Sequence, residues 1–323
     1  MTLPRVLVTR RLPDAVEQHL GAHFNATFNP GDTPLDPGQL AQAMRDYDAL
    51  CPTITDRLNA EILGIADARV RIIANFGAGL DHVDLAAARA AGIVVTNTPD
   101  VLTDATAELT ILLMLTAARR AGEGERALRA GEWNGWAPTN LIGQSIVGKT
   151  LGLVGFGRIA QTTAERARAG FGMKIAYYSR RRVPAEIEAR LEARYVPSLE
   201  ALAGEADILS LHTPGGTETR HLIDAKMLAR MKPSAILVNT ARGTVVDEAA
   251  LAEALSAGRI AAAGLDVYER EPQVHPALLG RENAVLLPHL GSATIETRVA
   301  MGMRAAANLE AYFSGKGPQD RVA

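Results

Sequence analysis

The chain has 323 residues but only one cysteine, Cys51. A single thiol closes no internal disulfide and builds no cysteine-based zinc cluster, which points to a reducing compartment. Aromatic residues are scarce at 4%, and there is no basic excess: 34 Lys and Arg stand against 36 Asp and Glu, a net charge of -2. A general nucleic-acid binder would be basic overall, so that class of partner is set aside. Long apolar runs are also missing. The best stretch, Leu109–Ala118, is followed at once by Arg119 and Arg120, and is far shorter than the roughly 20 residues that cross a bilayer. The N-terminal MTLPRVLVTR enters a strand pattern directly and lacks the apolar core of a signal peptide. Low-complexity segments and short-period repeats are absent too. These absences leave a cytoplasmic protein with neither a membrane nor a nucleic acid as its partner.

What is present is apolar material, 47% of the chain, enough for about two domains at roughly 150 residues each. Short apolar runs alternate with helical patterns. The strand candidates are 5–9, 47–51, 70–74, 92–96, 150–155, 174–178, 207–211, 235–239, 261–265 and 284–288. Continuous apolar strands separated by helices predict parallel sheets covered on both faces, an α/β protein with two such units. A long helix is predicted over 103–121. Another over 293–313 can return to the first unit and make it discontinuous, with residues 1–99 and 293–323 around an inserted 100–292.

Residues 152–160 read GLVGFGRIA. Gly155 permits a tight turn, Gly157 lets backbone approach a pyrophosphate, and Ala160 keeps the following helix close to its strand. Phe156, Arg158 and Ile159 complete the loop, and the helix start offers free N–H groups to phosphates. The pattern predicts a dinucleotide site; the competing reading is a structural turn. One further absence matters here. About twenty residues on, where an acid would bind the ribose 2′-OH, the chain reads Ser179, Arg180, Arg181 and Arg182. An acid would repel a 2′-phosphate, whereas a hydroxyl and guanidinium groups hold one. NADP(H) is therefore the expected cofactor, through Ser179, Arg180 and Arg181. The other reading is NAD(H), with the arginines as solvated charge; Arg182 is expected to face water.

Three polar residues follow strand patterns in the second half: Arg242, Glu271 and His289. An arginine can clamp an α-keto acid bidentately. A histidine can deliver a proton to a carbonyl oxygen, and a carboxylate bonded to it raises its proton affinity. Each also has a plain structural reading, as a surface ion pair, a turn residue before Pro272, or a loop histidine. After a dinucleotide loop, the three together suggest hydride transfer at an α-keto or α-hydroxy acid.

The motifs NFGAGLDHVDL (75–85), LTDATAEL (102–109), GLVGFGRIA (152–160), LHTPGGTETRHLI (211–223), LVNTARGTVVDEAAL (237–251), GLDVYEREP (264–272) and LPHLGSAT (287–294) run in order over nearly the whole chain. With them the sequence resembles the D-isomer-specific 2-hydroxyacid dehydrogenases, in the glyoxylate/hydroxypyruvate reductase branch. The resemblance implies two Rossmann-like doubly wound domains, with a cofactor domain inserted into a substrate-binding one. It implies reduction of glyoxylate and hydroxypyruvate to glycolate and D-glycerate by NAD(P)H, with Arg242, Glu271 and His289 as the catalytic set and no metal. It also implies that Ala78 and Gly79 donate backbone N–H groups to the substrate carboxylate, and that Leu50 walls the pocket. Further cofactor contacts fall on Thr106, Thr213, Pro214, Thr219, Thr240, Ala241, Asp266 and Gly291. A homodimer built on the cofactor domains and the 103–121 helix is implied, and the segment 132–140, with Trp133 and Trp136, can reach toward the neighbouring subunit. Asp81 and Asp84 are expected to be caps, and Cys51 a wall residue. The alternatives within reach are a phosphoglycerate dehydrogenase or another D-2-hydroxyacid dehydrogenase. A different class is a dinucleotide-sensing, corepressor-like binding protein.

Overall fold

The computed structural model describes residues 2–323. The chain divides into two compact units, one running to Leu102 and resuming over Ser292–Ala323, the other Thr103–Gly291. In the first, β1 (Arg5–Val8), α1 (Asp14–His23), β2 (Asn25–Thr27), α2 (Pro37–Asp46), β3 (Ala49–Cys51), α3 (Ala60–Leu63), β4 (Ile72–Ala74), α4 (Leu85–Ala90) and β5 (Val94–Thr96) alternate. The second begins with α5 (Thr103–Ala118) and α6 (Ala121–Arg129). It continues through β6 (Thr150–Val154), α7 (Arg158–Phe171), β7 (Lys174–Tyr178), α8 (Ala185–Leu191), β8 (Ala193–Tyr195), α9 (Leu199–Glu205) and β9 (Ile208–Leu211). It ends with α10 (Ala225–Leu228), β10 (Ile236–Asn239), α11 (Glu248–Ser256), β11 (Ala262–Leu265), α12 (Pro276–Leu279) and β12 (Ala284–Leu286). The closing helix α13 (Ile295–Phe313) belongs to the first unit.

Both sheets are parallel throughout. The first has five strands in the order β2-β1-β3-β4-β5, the second seven in the order β12-β11-β10-β9-β6-β7-β8. Successive strand residues point to opposite faces, so each sheet feeds two cores. In the second unit Leu151 and Leu153 of β6 pack with Leu113 and Met114 of α5, while Val154 turns to the other side with Leu202, Leu209 and Leu211. All ten expected strands form. The two missed, β2 and β8, are three-residue edge strands; lying at a sheet margin, NAT and ARY need no continuous apolar run.

The predicted 103–121 helix is broken. Arg120 adopts a left-handed φ of 52°, its guanidinium holds Glu123 at 2.6 and 2.7 Å, and the Ala118 carbonyl accepts from the Gln144 N–H at 2.7 Å. A long-range partner thus takes a terminal carbonyl that a continuing helix would have used. At the other end of the chain Thr294 caps α13, its hydroxyl accepting from the Thr297 N–H at 3.1 Å. Among the described residues no helix is long and apolar enough to cross a membrane.

In the first unit α13 packs on α1 so closely that a Cβ added at Gly302 would lie 2.5 Å from both γ-carbons of Val16. Val16 is β-branched and stiff, so it cannot swing away. Gly302→Ala should therefore lower stability by about 1–3 kcal/mol, read as a fall in melting temperature; an unchanged melting curve would mean that the two helices separate freely.

Candidate active site

The glycine loop joins β6 to α7 as the sequence predicts. Gly155 has φ 86°, and an added Cβ would sit 2.6 Å from the His212 carbonyl oxygen, so only glycine fits this approach to the end of β9. A Cβ on Gly157, by contrast, would meet nothing within 4 Å. Gly157 is the N-cap of α7 and has no side chain to cover the first-turn N–H groups, which leaves them open to an anion. Nearby, the Thr213 hydroxyl is buried without a hydrogen-bond partner among the described residues, an orphaned polar atom where a ligand group would satisfy it. His212 is half-buried, bonded to the Ser210 hydroxyl at 2.9 Å, and desolvation of its ring pushes it down to about 3, so it stays neutral. The residues present therefore fit a bound dinucleotide. The side chain of Phe156 belongs to the core, stacked on Tyr177 with ring centroids 4.0 Å apart, and its backbone is what it offers the loop. Arg158 is exposed and Ile159 half-buried.

Beyond β7 the Ser179 hydroxyl donates to the Arg181 carbonyl at 2.5 Å. Arg180 pairs with Glu218, both well exposed. Arg181 is exposed and, among the described residues, forms no ion pair. Arg182 does not simply face water. It bonds Glu188 at 2.7 and 2.8 Å and lies over the Tyr195 ring, and its charge, with the Tyr177 hydroxyl, holds Glu188 down to about 2. Pro214 is exposed, and its carbonyl accepts from the Thr219 hydroxyl at 2.8 Å, so these two shape one turn.

At the other end of the sheet, Arg242 follows β10 and Glu271 and His289 follow β11 and β12. His289 Nδ1 lies 2.8 Å from Glu271 Oε2, with the two side chains 33% and 30% exposed. A carboxylate can only accept, so Nδ1 carries the proton and Nε2 is turned to other work. Burial pushes the Glu271 carboxyl up. The bond and charge of His289, the Tyr268 N–H and the charge of Arg242 outweigh it and leave Glu271 below the usual range. The Arg242 guanidinium donates to the Ala241 carbonyl at 2.7 Å.

His289 itself has a left-handed φ of 56°, unusual for a non-glycine residue. Asp266 holds that turn. Its buried carboxylate accepts from Leu290 N–H at 2.6 Å and Gly291 N–H at 2.8 Å, while its own carbonyl accepts from His289 N–H at 2.9 Å. Burial raises the Asp266 carboxyl, and those N–H bonds and the charge of His289 only partly offset it. Thr106 closes the same cluster by donating to the Gly291 carbonyl at 3.0 Å, and Thr110 bonds Thr240 at 3.0 Å. Ala241 is buried at the end of β10.

Three supporting residues were not singled out in the sequence. A Cβ on Gly243 would fall 1.8 Å from the Tyr268 carbonyl carbon, so the Arg242 loop rests directly on the Tyr268–Glu269 backbone. The Tyr268 hydroxyl donates to the Leu287 carbonyl at 2.8 Å, and its N–H to Glu271 Oε1 at 3.0 Å. Buried Glu248 accepts from the N–H groups of Glu269 at 2.6 Å and His275 at 3.2 Å. The glycine beside Arg242 was a visible signal; a buried glutamate in a helix start leaves none.

In the first unit the loop after β4 is held by amides. Asn75 Nδ2 donates to the carbonyls of Gly77 (2.9 Å) and Gly79 (3.0 Å), its Oδ1 accepts from His82 at 2.9 Å, and Asn97 donates to the Ala78 carbonyl at 2.8 Å. With the carbonyls held, the N–H groups of Ala78 and Gly79 make no hydrogen bond among the described residues. Asp84 caps α4, bonding Ala87 N–H at 2.9 Å. Leu50 corrects an expectation. It is 0% exposed, packed among Leu40, Met44, Leu58 and Ile73, and walls no pocket. Cys51 points into the opposite core, and burial, with the charge of Asp56, pushes its thiol up to about 12, too high for a nucleophile.

Residues 111–291 match the model of the D-isomer specific 2-hydroxyacid dehydrogenase NAD binding domain. Over its length the chain is similar to a glyoxylate reductase of Thermococcus litoralis, 45% identical over 99% of this chain and 96% of that protein. It is similar to a glyoxylate reductase of Aeropyrum pernix, 47% identical over 100% and 96%. Its fold matches that of the NADPH-dependent glyoxylate/hydroxypyruvate reductase of Sinorhizobium meliloti in complex with NADP and malonate. The TM-score there is 0.88 at 38% identity, covering 100% of this chain and 97% of that one.

Tyr268→Phe removes the one hydroxyl that ties the Glu271 segment to the His289 segment. It should cost about 1–3 kcal/mol, since the Leu287 carbonyl loses its partner, measurable by denaturant unfolding; wild-type stability would show that this bond holds nothing.

Proposed function

Because the chain belongs to the D-isomer specific 2-hydroxyacid dehydrogenases, we propose that it reduces glyoxylate and hydroxypyruvate to the corresponding 2-hydroxy acids, with NADPH preferred over NADH. The observation that carries this reading is the 2.8 Å His289–Glu271 pair at the strand ends of a unit that also holds the glycine loop. When bound, the reduced nicotinamide supplies the hydride. His289 gives its Nε2 proton to the carbonyl oxygen as that oxygen gains charge, and its Nδ1–H stays on the Glu271 carboxylate throughout. The carbonyl becomes a hydroxyl, and His289 is left neutral. Arg242 pairs with the substrate carboxylate; within the first unit, the N–H groups of Ala78 and Gly79 are by themselves a set of donors suited to a carboxylate. On this reading the first unit is the substrate-binding domain. Asp266, besides holding the His289 turn, has lone pairs left for the carboxamide, and Thr106, Thr240, Ala241 and Gly291 line that end. Thr213, Pro214 and Thr219 line the adenosine end.

The NADPH preference rests on Ser179, Arg180 and Arg181 after β7. The Arg180–Glu218 pair does not stand against it, because exposed ion pairs hold by about 0–1 kcal/mol and a doubly charged phosphate competes well for the guanidinium. A homodimer is supported by exposed apolar residues on α5 and beyond: Leu112, Leu128, Ile142, Val147 and above all Trp136, 83% exposed.

Oxidation of NADPH and NADH, followed by absorbance with glyoxylate, hydroxypyruvate and pyruvate, tests the assignment. The first two acids should react fastest, with NADPH. Replacing Arg180 and Arg181 together by Ala should weaken NADPH by about tenfold or more, one lost charge-assisted contact being worth roughly 1.5–3 kcal/mol, and leave NADH little changed. Equal losses would refute the phosphate clamp, and no turnover at all would favour the sensor class.

The Glu271 carboxylate, held below its ordinary range despite its burial, stays charged across neutral pH and is lost as an acceptor only as pH falls through that lowered value. Glu271→Gln removes the charged acceptor of the His289 Nδ1–H and should lower kcat by at least about tenfold with little change in KM. A wild-type kcat in this variant would separate Glu271 from proton transfer.

A further inference from the structure

A cluster on the first unit takes no part in the chemistry above. His19 and His23 stand one turn apart on α1, and Glu310 faces them from α13. His19 Nε2 lies 2.6 Å from Glu310 Oε1, and His23 Nδ1 lies 2.8 Å from the His19 carbonyl. The two imidazoles stack with centroids 4.2 Å apart and planes 26° from parallel. One ring nitrogen from each histidine and one Glu310 oxygen all fall within 4.8 Å of one another.

We propose that His19, His23 and Glu310 form a binding site for a divalent transition-metal ion, with Zn²⁺ the best match, that fastens the N-terminal helix to the closing helix. Histidines at i and i+4 are the spacing at which two imidazoles on one helix face meet a single ion. A carbonyl only accepts, so His23 Nδ1 holds the proton and Nε2 keeps its lone pair. A ligating histidine is usually oriented by such a bond from its other ring nitrogen. Two nitrogens and one carboxylate oxygen suit zinc and disfavour magnesium and calcium, which take oxygen ligands. Zinc bonds of about 2.0–2.1 Å space tetrahedral ligand atoms about 3.3 Å apart. The His19–Glu310 contact opens slightly to reach that spacing, and the wider separations close by side-chain rotation. His23 is exposed and the other two half-buried, which leaves an entry path and room for a water as fourth ligand. The helices that carry the ligands are already fixed by the Gly302–Val16 approach, so only side chains need to turn to meet the ion. Binding displaces the proton that His19 Nε2 shares with Glu310.

Calorimetric titration of the metal-stripped protein with zinc chloride, at mildly alkaline pH, tests this. One equivalent should bind and raise the melting temperature, and magnesium chloride should do neither. His23→Ala leaves the His19–Glu310 bond intact, and Glu310→Gln keeps an oxygen to accept it, so both should fold. Each should weaken zinc by at least about tenfold. Absence of binding would reduce the cluster to an ion pair. Undiminished binding in both variants would place the ion elsewhere, and either result overturns the proposal.

Discussion

A buried carboxylate holds the turn on which the candidate chemistry depends. Asp266 accepts the N–H groups of Leu290 and Gly291, and its carbonyl takes that of His289. A left-handed histidine is costly by itself, and three bonds from one residue over-determine it. With the turn held, Nδ1 of His289 meets Glu271 and Nε2 is free to act. Burial disfavours the charge on Asp266, and the two N–H donors are what make that charge tolerable there.

The segment carrying Glu271 is fixed from three sides by its neighbours in the fold. Gly243 lets the Arg242 loop lie against Tyr268, Tyr268 reaches across to Leu287, and Glu248 holds Glu269 and His275. Each bond joins residues that follow different strands. The parallel sheet brings β10, β11 and β12 side by side with their C-terminal ends together, and loops after neighbouring strands can then brace one another. The same logic governs the glycine loop, where Gly155 fits against the end of β9 because β6 and β9 are neighbours.

Much of this was legible in the sequence because it rests on local pattern. Short runs rich in apolar residues marked every strand except β2 and β8. The spacing of Gly155, Gly157 and Ala160 marked the glycine loop between β6 and α7. Arg242, Glu271 and His289 could be placed at strand ends by counting along the chain. The order of the motifs carried the family.

What the tertiary structure alone decided was direction and partnership. Side chains alternate across a strand, and nothing local says which face meets which core. Leu50 therefore turned out to be core rather than pocket wall, and the ring of Phe156 stacked on Tyr177. Glu218 met Arg180 from 38 residues away. Arg182 found Glu188, and His19 found Glu310 across 291 residues. Such pairs depend on how helices and strands pack, which a chain read in one dimension does not express. The sequence determined which chemical groups stand at the ends of which elements. Folding determined which of them touch, because contact depends on register and packing between segments far apart in the chain.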